Sequence, residues 1–535
     1  MAAQSPGQRA VVVPAGRDAA GRRAYVHLTF AQLEVLASAY AHGLEKQGIG
    51  RGVRTVLMVT PGLDFVALVF ALFKVGAVTV LVDPGIGRKS LLTCLEESEP
   101  EAFVGVTMAQ AARALFRHRF PKVRALVTVG PRLFWGGATL EALREDARPY
   151  PACSPAADET AAILFTSGGT GIPKGAVYTH GMFAAQVEAI RAAYDIRPGE
   201  SELATFPLFA LFDPALGMTA VLPEMDFRKP AQADPRLLVE AIVDQGVTSM
   251  FGSPALLDRL SRYGEEQQLK LPMLRRVLSS GAPVRLDILR RMQAMLENGA
   301  QVHPSFGATE SMPVATIGSH EVLASTHLLT AQGKGICVGR VVPSITLRLI
   351  RVTDEPIAQW SDDLLVPAGE PGEICVRGPV VSASYYARPI QTAAAKLREK
   401  DQIVHRMGDI GWMDDEGRLW MLGRKTDRVM TADGVLYTVS CEAIFNQHAA
   451  VRRSALVGVG LPGAHRPVLV VERNAGQGVD EAKLSEELLA LGAQHALTKS
   501  IRTVLLHPGT LPVDIRHNAK INRQALARWA AERVS

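Results

Sequence analysis

The chain has 535 residues, 47% of them apolar and 21% charged, with Lys+Arg 58 against Asp+Glu 53. That length exceeds one hydrophobic core, so two or more domains are expected in a globular protein. A net charge of +5 spread over it leaves no dominant basic field and argues against nucleic acid as the partner. The five cysteines (Cys94, Cys153, Cys337, Cys375, Cys441) form no C-x-x-C pair, which excludes a zinc ribbon and fits reduced thiols.

Residues 1–21 lack the apolar core of a signal peptide and read as a partly disordered start. Residues 55–59 and 79–82 read as short buried strands, with a helix over 64–74 between them. The most hydrophobic region, 65–82, is broken by Lys74 and Gly76 and is too interrupted for a membrane span. Gly85-Ile86-Gly87-Arg88-Lys89-Ser90 reads as a plain loop.

The run Thr166-Ser167-Gly168-Gly169-Thr170-Gly171-Ile172-Pro173-Lys174-Gly175 follows an apolar stretch, 161–165. Glycines let backbone N–H groups converge, and hydroxyls and a lysine add donors and positive charge, so the run predicts a polyphosphate cradle. It is not a Walker A loop, because Lys174 stands between Pro173 and Gly175, and it lacks the G-x-G-x-x-G spacing of a dinucleotide fold. Helices over 235–245 and 254–263 alternate with strands over 247–251 and 276–279. Such alternation predicts an α/β fold with parallel sheets covered by helices. From 339 to 376 the runs alternate apolar and polar residues, which predicts a smaller β subdomain. A strand over 419–422 precedes the charged stretch Gly423-Arg424-Lys425-Thr426-Asp427, where a domain boundary is expected. About a hundred residues follow with their own strands (455–459, 468–472) and a helix (481–491).

In this order stand Phe73-Lys74-Val75-Gly76-Ala77 with Asp83-Pro84, the glycine run, Ser280-Gly281-Ala282-Pro283, Phe306-Gly307-Ala308-Thr309-Glu310, Gly372-Glu373-Ile374 with Gly378, Gly408-Asp409, Gly423-Arg424 and Lys520. The set resembles the adenylate-forming superfamily of acyl-CoA synthetases, peptide-synthetase adenylation domains and luciferases. The resemblance spans residues 27–526. It implies a large N-terminal AMP-binding domain (1–422) of two parallel-type sheets layered with helices, with a β subdomain over 339–422. A hinge at 423–428 and a small mobile α+β lid domain over 429–535 complete the expected architecture.

The implied reaction joins a carboxylate to the α-phosphate of ATP and expels pyrophosphate. Thr166, Ser167, Thr170 and Lys174, with the backbone of Gly168, Gly169 and Gly171, would hold the outer phosphates. Gly281, Ala282, Pro283, Phe306 and Gly307 would contact the base. Glu310 would hold Mg²⁺, a hard cation that prefers oxygen. Thr309 would donate to the α-phosphate, Asp409 and Arg424 would hold the ribose hydroxyls, and Lys520 would bridge carboxylate and phosphate.

The chain departs from the family pattern at several places. Gly169 replaces a hydroxyl, Ala210 stands where a gating ring is common, and Thr426 takes the hinge position. Asn518-Ala519 precedes Lys520 in place of Ser-Gly, and the loop Ala432-Asp433-Gly434, whose counterpart helps to admit a thiol, is altered. Together with the run from Phe206 to Pro214, these features resemble the β-lactone synthetases of bacterial long-chain olefin biosynthesis. That resemblance implies a long-chain β-hydroxy acid, activated as acyl-AMP and closed by its own hydroxyl; a medium- or long-chain acyl-CoA synthetase is the alternative. Phe206, Phe209, Phe212 and Leu216, with Leu208, Leu211 and Met218, are the expected pocket lining. His180, His303 and Asp213 lie near motifs and are candidate bases. Cytoplasmic location and contact with other enzymes of the pathway are the matching expectations.

Overall fold

The computed structural model describes residues 1–534 except 152–153, 167–172, 298, 475–479 and 514–519, together with the side chains of all of these but Pro84, Glu145 and Thr166. Two sheets with parallel cores build the large domain. The first runs Ala138–Thr139, Ala125–Val129, Ala102–Val106, Arg54–Met58, Val78–Val82, Thr160–Thr166 and Lys174–Thr179, parallel throughout except at the last pair. The second has the parallel order Arg9–Arg17, Thr219–Val221, Ser201–Ala204, Ser249–Phe251, Arg276–Ser279, Gln301–Ala308.

The helix Leu63–Lys74 explains how the sheets combine. It is apolar on nearly every face, and such a helix must be covered all round. With the helix Phe30–Lys46 it packs between the sheets, in one core that includes Val11 and Ala220 from one sheet and Leu57 and Val104 from the other. A capping box starts the longer helix: Thr29 accepts from Gln32 N–H while the Gln32 side chain accepts from Thr29 N–H. No helix of the described residues is long and apolar enough to cross a membrane.

Gln301–Ala308 belongs to two systems at once. Its first half pairs in parallel with Arg276–Ser279, and its end pairs antiparallel with Ser311–Thr316. Antiparallel pairing then continues through Ile336–Val341, Arg418–Arg424, Gln402–Met413, Gly372–Arg377 and Thr346–Ile350. The β subdomain is thus a continuation of the second sheet, and its pairing begins upstream of residue 339. After Arg424 a short turn, Lys425–Asp427, leads to the hairpin Val429–Thr431/Gly434–Leu436. A three-stranded sheet (Val451–Val459, Arg466–Arg473, Thr503–Leu506) follows, with helices Thr438–Phe445, Glu481–Ala493 and Arg523–Ala531.

Two expectations are corrected. The N-terminal segment is ordered: Arg9–Arg17 pairs with Thr219–Val221 on one side and Arg23–Thr29 on the other. Its run Ala10-Val11-Val12 is buried, which is what holds it. The stretch Gly85–Ser90 is also structured, since Asp83 caps a 3₁₀ turn by accepting from Gly85 N–H and the helix Arg88–Glu97 starts directly after it.

Candidate active site

A cavity of about 1960 Å³ opens between the sheet ends, the β subdomain and the C-terminal domain. Lys174, Gly281, Ala282, Pro283, Phe306, Gly307, Thr309, Glu310, Asp409, Arg424 and Lys520 all line it. Residues 167–172, which carry Ser167, Gly168, Gly169, Thr170 and Gly171, lie outside the described residues, as does the Thr166 side chain. The backbone of Thr166 ends its strand directly opposite Lys174 in register. Asn518 and Ala519 also lie outside the described residues.

Glu310 sits in the tight connection between Gln301–Ala308 and Ser311–Thr316. Gly307 makes that connection possible, because a Cβ there would stand 2.9 Å from the Ser311 carbonyl oxygen. Tyr178 donates to the Thr309 carbonyl (2.5 Å) and so ties the turn to the strand that begins at Lys174. Tyr385 donates to Glu310 Oε1 (2.5 Å), and its ring lies 4.9 Å from Lys174 Nζ. Backbone bonds join the Tyr385 segment to the same strand: Tyr386 N–H donates to Gly175 and Val177 N–H to Ser384. One tyrosine therefore fixes a cation and a carboxylate relative to each other.

Behind it stand Lys396 and His405, both buried. Lys396 donates to the carbonyl and hydroxyl of Ser382 (2.6 and 3.1 Å). Burial pushes its ammonium down to about 7 against the pull of Glu310. His405 Nδ1 lies 3.1 Å from the Ala395 carbonyl, which can only accept, so Nδ1 carries the proton. Burial and the Lys396 charge push His405 down to about 3, so the ring is neutral. Burial works against the charge on Glu310, while the hydrogen bond from Tyr385 and the charge of Lys396 help to hold the carboxyl below its ordinary value.

Asp409 and Arg424 face each other across neighbouring strands, with Nε 3.1 Å from Oδ1. Burial pushes the Asp409 carboxyl up, while Arg424 and Lys520 pull against it. Lys520 comes from the C-terminal domain. The next turn is anchored by the partly buried Arg523, which pairs with Glu442 (2.6 Å) and Asp427 (3.3 Å).

Along one side runs an aromatic wall. Ring contacts lead from Phe73 through Phe183 and Phe212 to Phe209, which stacks on Phe251 at 4.2 Å and also touches Phe206. Phe206, Phe209 and Phe212 line the cavity, with Leu208 and Leu211. Leu216 does not. The helix Phe212–Leu216 is little more than one turn, and its last residue packs underneath, against Ile190, Tyr194 and Met218. Met218 belongs to the same core, and Ala210 is buried on the other side among the inter-sheet helices.

The three candidate bases do not line the cavity. His180 starts the helix His180–Tyr194 and rests edge-on against Phe73. His303 packs on Tyr194, and burial pushes it down to about 4. Asp213 is buried beside Glu202, and burial plus that second carboxylate push it well up. A carboxyl raised this way keeps its proton in the folded state but releases it when unfolded above about pH 4. Its contribution to stability is therefore present at low pH and lost as pH rises. Asp213→Asn is expected to stabilise the protein by about 1–3 kcal/mol at pH 8 and by little at pH 4. Denaturant melts at the two pH values check this, and an equal change at both would contradict the protonated state assigned to Asp213.

Tyr385, Lys396 and His405 were not legible as site residues. The one available signal was Lys396 itself, a single lysine between Ala393-Ala394-Ala395 and Leu397. Tyr385→Phe keeps the ring beneath Lys174 and removes only the hydroxyl. If the site works as the resemblance to the adenylate-forming superfamily implies, the change lowers turnover by about ten-fold and raises the Mg²⁺ requirement, with an unchanged melting temperature. Pyrophosphate release titrated against Mg²⁺ checks it; unchanged kinetics would remove Tyr385 from the site.

The family model for AMP-binding enzymes matches residues 1–386. The chain is 49% identical over 541 residues to the olefin beta-lactone synthetase of Xanthomonas campestris pv. campestris, covering 99% of this chain and 96% of that protein. It is 49% identical over 540 residues to the olefin beta-lactone synthetase of Stenotrophomonas maltophilia, with the same coverage. Among solved structures, the amide bond synthetase McbA from Marinactinospora thermotolerans superposes with a TM-score of 0.80 over 98% of this chain and 97% of that one. At 24% identity that likeness speaks for the fold. A fold of two helix-layered sheets, a cavity that gathers the ordered motifs, and relatives half identical over nearly the whole length lead to one conclusion: the chain belongs to the AMP-binding enzymes and is an adenylate-forming ligase.

Proposed function

We propose that the enzyme activates a long-chain β-hydroxy acid as its acyl-AMP and closes it to a β-lactone, releasing pyrophosphate and then AMP. The observation that carries this reading is the 49% identity, over 99% of the chain, to two olefin beta-lactone synthetases. The aromatic wall beside the Thr309-Glu310 turn supports it, since alkyl branches need an apolar surface next to the reacting carboxylate.

In this reading Lys174 faces the outer phosphates of ATP, and Asp409 with Arg424 receives the ribose. Gly281, Ala282, Pro283, Phe306 and Gly307 form the slot for the base, and Thr309 faces the α-phosphate. Lys520 holds the acid carboxylate against that phosphate, so two anions meet under neutralising charge. Among the described residues no group of three or more His, Cys, Asp or Glu is placed to hold a metal. A single carboxylate fits Mg²⁺, which binds through one or two protein oxygens plus substrate phosphates. Glu310, already fixed by Tyr385, is that ligand, and the ion would supply charge neutralisation on the phosphates.

In the second step the β-hydroxyl oxygen attacks the acyl carbon, loses its proton, and the bond to the AMP oxygen breaks. Tethered attack reaches effective concentrations of about 10⁵ M or more, which offsets part of the strain of a four-membered ring. The aromatic wall excludes competing water. The hinge residue Thr426 and the exposed hairpin tip Ala432-Asp433 depart from the thiol-accepting pattern, which favours the internal hydroxyl. A cytoplasmic location and contact with the enzymes acting before and after this step belong to the same reading.

The test is incubation with Mg-ATP and a 2-alkyl-3-hydroxy acid, with and without coenzyme A, followed by mass spectrometry. The expected product is the β-lactone in both cases. A thioester formed only with coenzyme A would make the enzyme an acyl-CoA ligase, and acyl-adenylate alone would also defeat the lactone reading.

A further inference from the structure

The segment 102–140 stands apart from the rest of the chain. It holds six Lys or Arg and no Asp or Glu, whereas the whole protein has an excess of only five positive charges. Arg119 and Lys122 pair with Glu96 and Glu99 of the preceding elements. Among the described residues no carboxylate pairs with Arg117 or Arg132, and both are exposed.

These cations flank a face that faces water despite being apolar. In the helix Thr107–Leu115 the exposed positions are Met108, Ala111, Ala112 and Leu115, one side of the helix along its full length. Met108 is 81% exposed and Leu115 74%. Next to the start of this helix lies the loop after Ala125–Val129, tied to it by a bond from Thr107 Oγ1 to the Pro131 carbonyl (2.7 Å). That loop presents Leu133 (54% exposed) and Phe134 (85%). It is built to do so. Trp135 turns inward and donates to Thr128 Oγ1 (3.0 Å), and Arg132 donates to the Gly137 carbonyl. Gly137 has φ +80° and lies so close to the Leu126 carbonyl that no Cβ fits.

We propose that this helix face and loop dock the enzyme on an anionic phospholipid surface. Large apolar side chains stand exposed, with Arg132 beside Leu133 and Arg117 just beyond Leu115. That arrangement suits insertion between headgroups, with the guanidiniums on lipid phosphates. A protein partner would call for a shaped apolar patch with carboxylates at its rim to set its register; this segment offers no carboxylate. The position serves the active site. The helix follows Ala102–Val106 and the loop follows Ala125–Val129, both parallel to Thr160–Thr166 in one sheet. Their ends share one rim with the strand that leads to Lys174, about 15–20 Å away across the sheet. The proposal stands on this surface and not on the lactone assignment.

Sedimentation of the full-length protein with phosphatidylglycerol/phosphatidylcholine vesicles and with pure phosphatidylcholine vesicles tests it. Binding is expected only to the anionic vesicles and is expected to be released by about 0.5 M salt. The double substitution Met108→Ser/Phe134→Ser is expected to weaken binding about ten-fold or more, and Arg117→Gln by less. Both variants should keep the wild-type melting temperature and turnover on a water-soluble short-chain acid. No binding to anionic vesicles, equal binding to neutral ones, or binding that survives the double substitution would each overturn the proposal. If vesicles fail and the wild type instead dimerises in a way the double variant does not, the face is a contact between copies.

Discussion

Lys520→Ala is expected to slow acyl-adenylate formation by about a thousand-fold while leaving the second step within a few-fold of wild type. The lysine lines the same cavity as Glu310 and Asp409, and its charge is felt at the Asp409 carboxyl. Its position is enforced from the C-terminal domain, where Ile521 pairs with Val513, Asn522 N–H donates to Pro512 and Arg523 is locked by Glu442 and Asp427. A cation placed there neutralises charge that grows when carboxylate meets phosphate. When a neutral hydroxyl attacks an adenylate already made, no two anions have to be brought together, and charge grows instead on the acyl oxygen and the departing AMP. Pyrophosphate exchange measures the first step, and lactone formation from synthetic acyl-AMP measures the second. Equal losses in both would make Lys520 a general support of the site rather than the group that brings acid and nucleotide together.

Glu310→Gln carries the second large effect. Turnover is expected to fall by about a hundred-fold or more, and half-saturation by Mg²⁺ to move up by about ten-fold. Four groups lean on this carboxylate: Tyr385 donates to it, His405 and Lys396 feel its charge, and Lys174 is held nearby through the Tyr385 ring. Glutamine keeps the shape and an acceptor for Tyr385 but loses the charge that a hard cation requires. Without that charge no carboxylate offsets the burial of Lys396, so its ammonium should titrate still lower. Initial rates over a Mg²⁺ series check the first effect. A variant with wild-type Mg²⁺ dependence would move the metal site elsewhere.

Local signals made much of the fold legible. The helix Pro235–Gln245 carries its own punctuation: Asp234 accepts from Arg236 N–H, Pro235 opens the first turn and Gly246 closes the last in the left-handed region. Arg276–Ser279 and Leu63–Lys74 were equally clear from apolar pattern alone. The N-terminal strand was not, because what orders it is a partner about two hundred residues away, Thr219–Val221. The same limit applies inside the site. Motif order pointed to Lys174, Glu310, Asp409, Arg424 and Lys520, but nothing in their spacing brings Tyr385 between the first two. Leu216 failed for a local reason. Four residues after Phe212 it shares a helical face with it on paper, yet the helix ends there and that end faces the core.

The most direct test of the central claim, that the carboxylate is activated on the α-phosphate before the hydroxyl closes the ring, is isotope tracing. A β-hydroxy acid with both carboxylate oxygens as ¹⁸O is turned over with Mg-ATP, and the products are weighed by mass spectrometry. One ¹⁸O in AMP and one in the lactone carbonyl is the predicted result. Unlabelled AMP beside a lactone that keeps both labels would mean the hydroxyl, not the carboxylate, was activated, and would contradict the account.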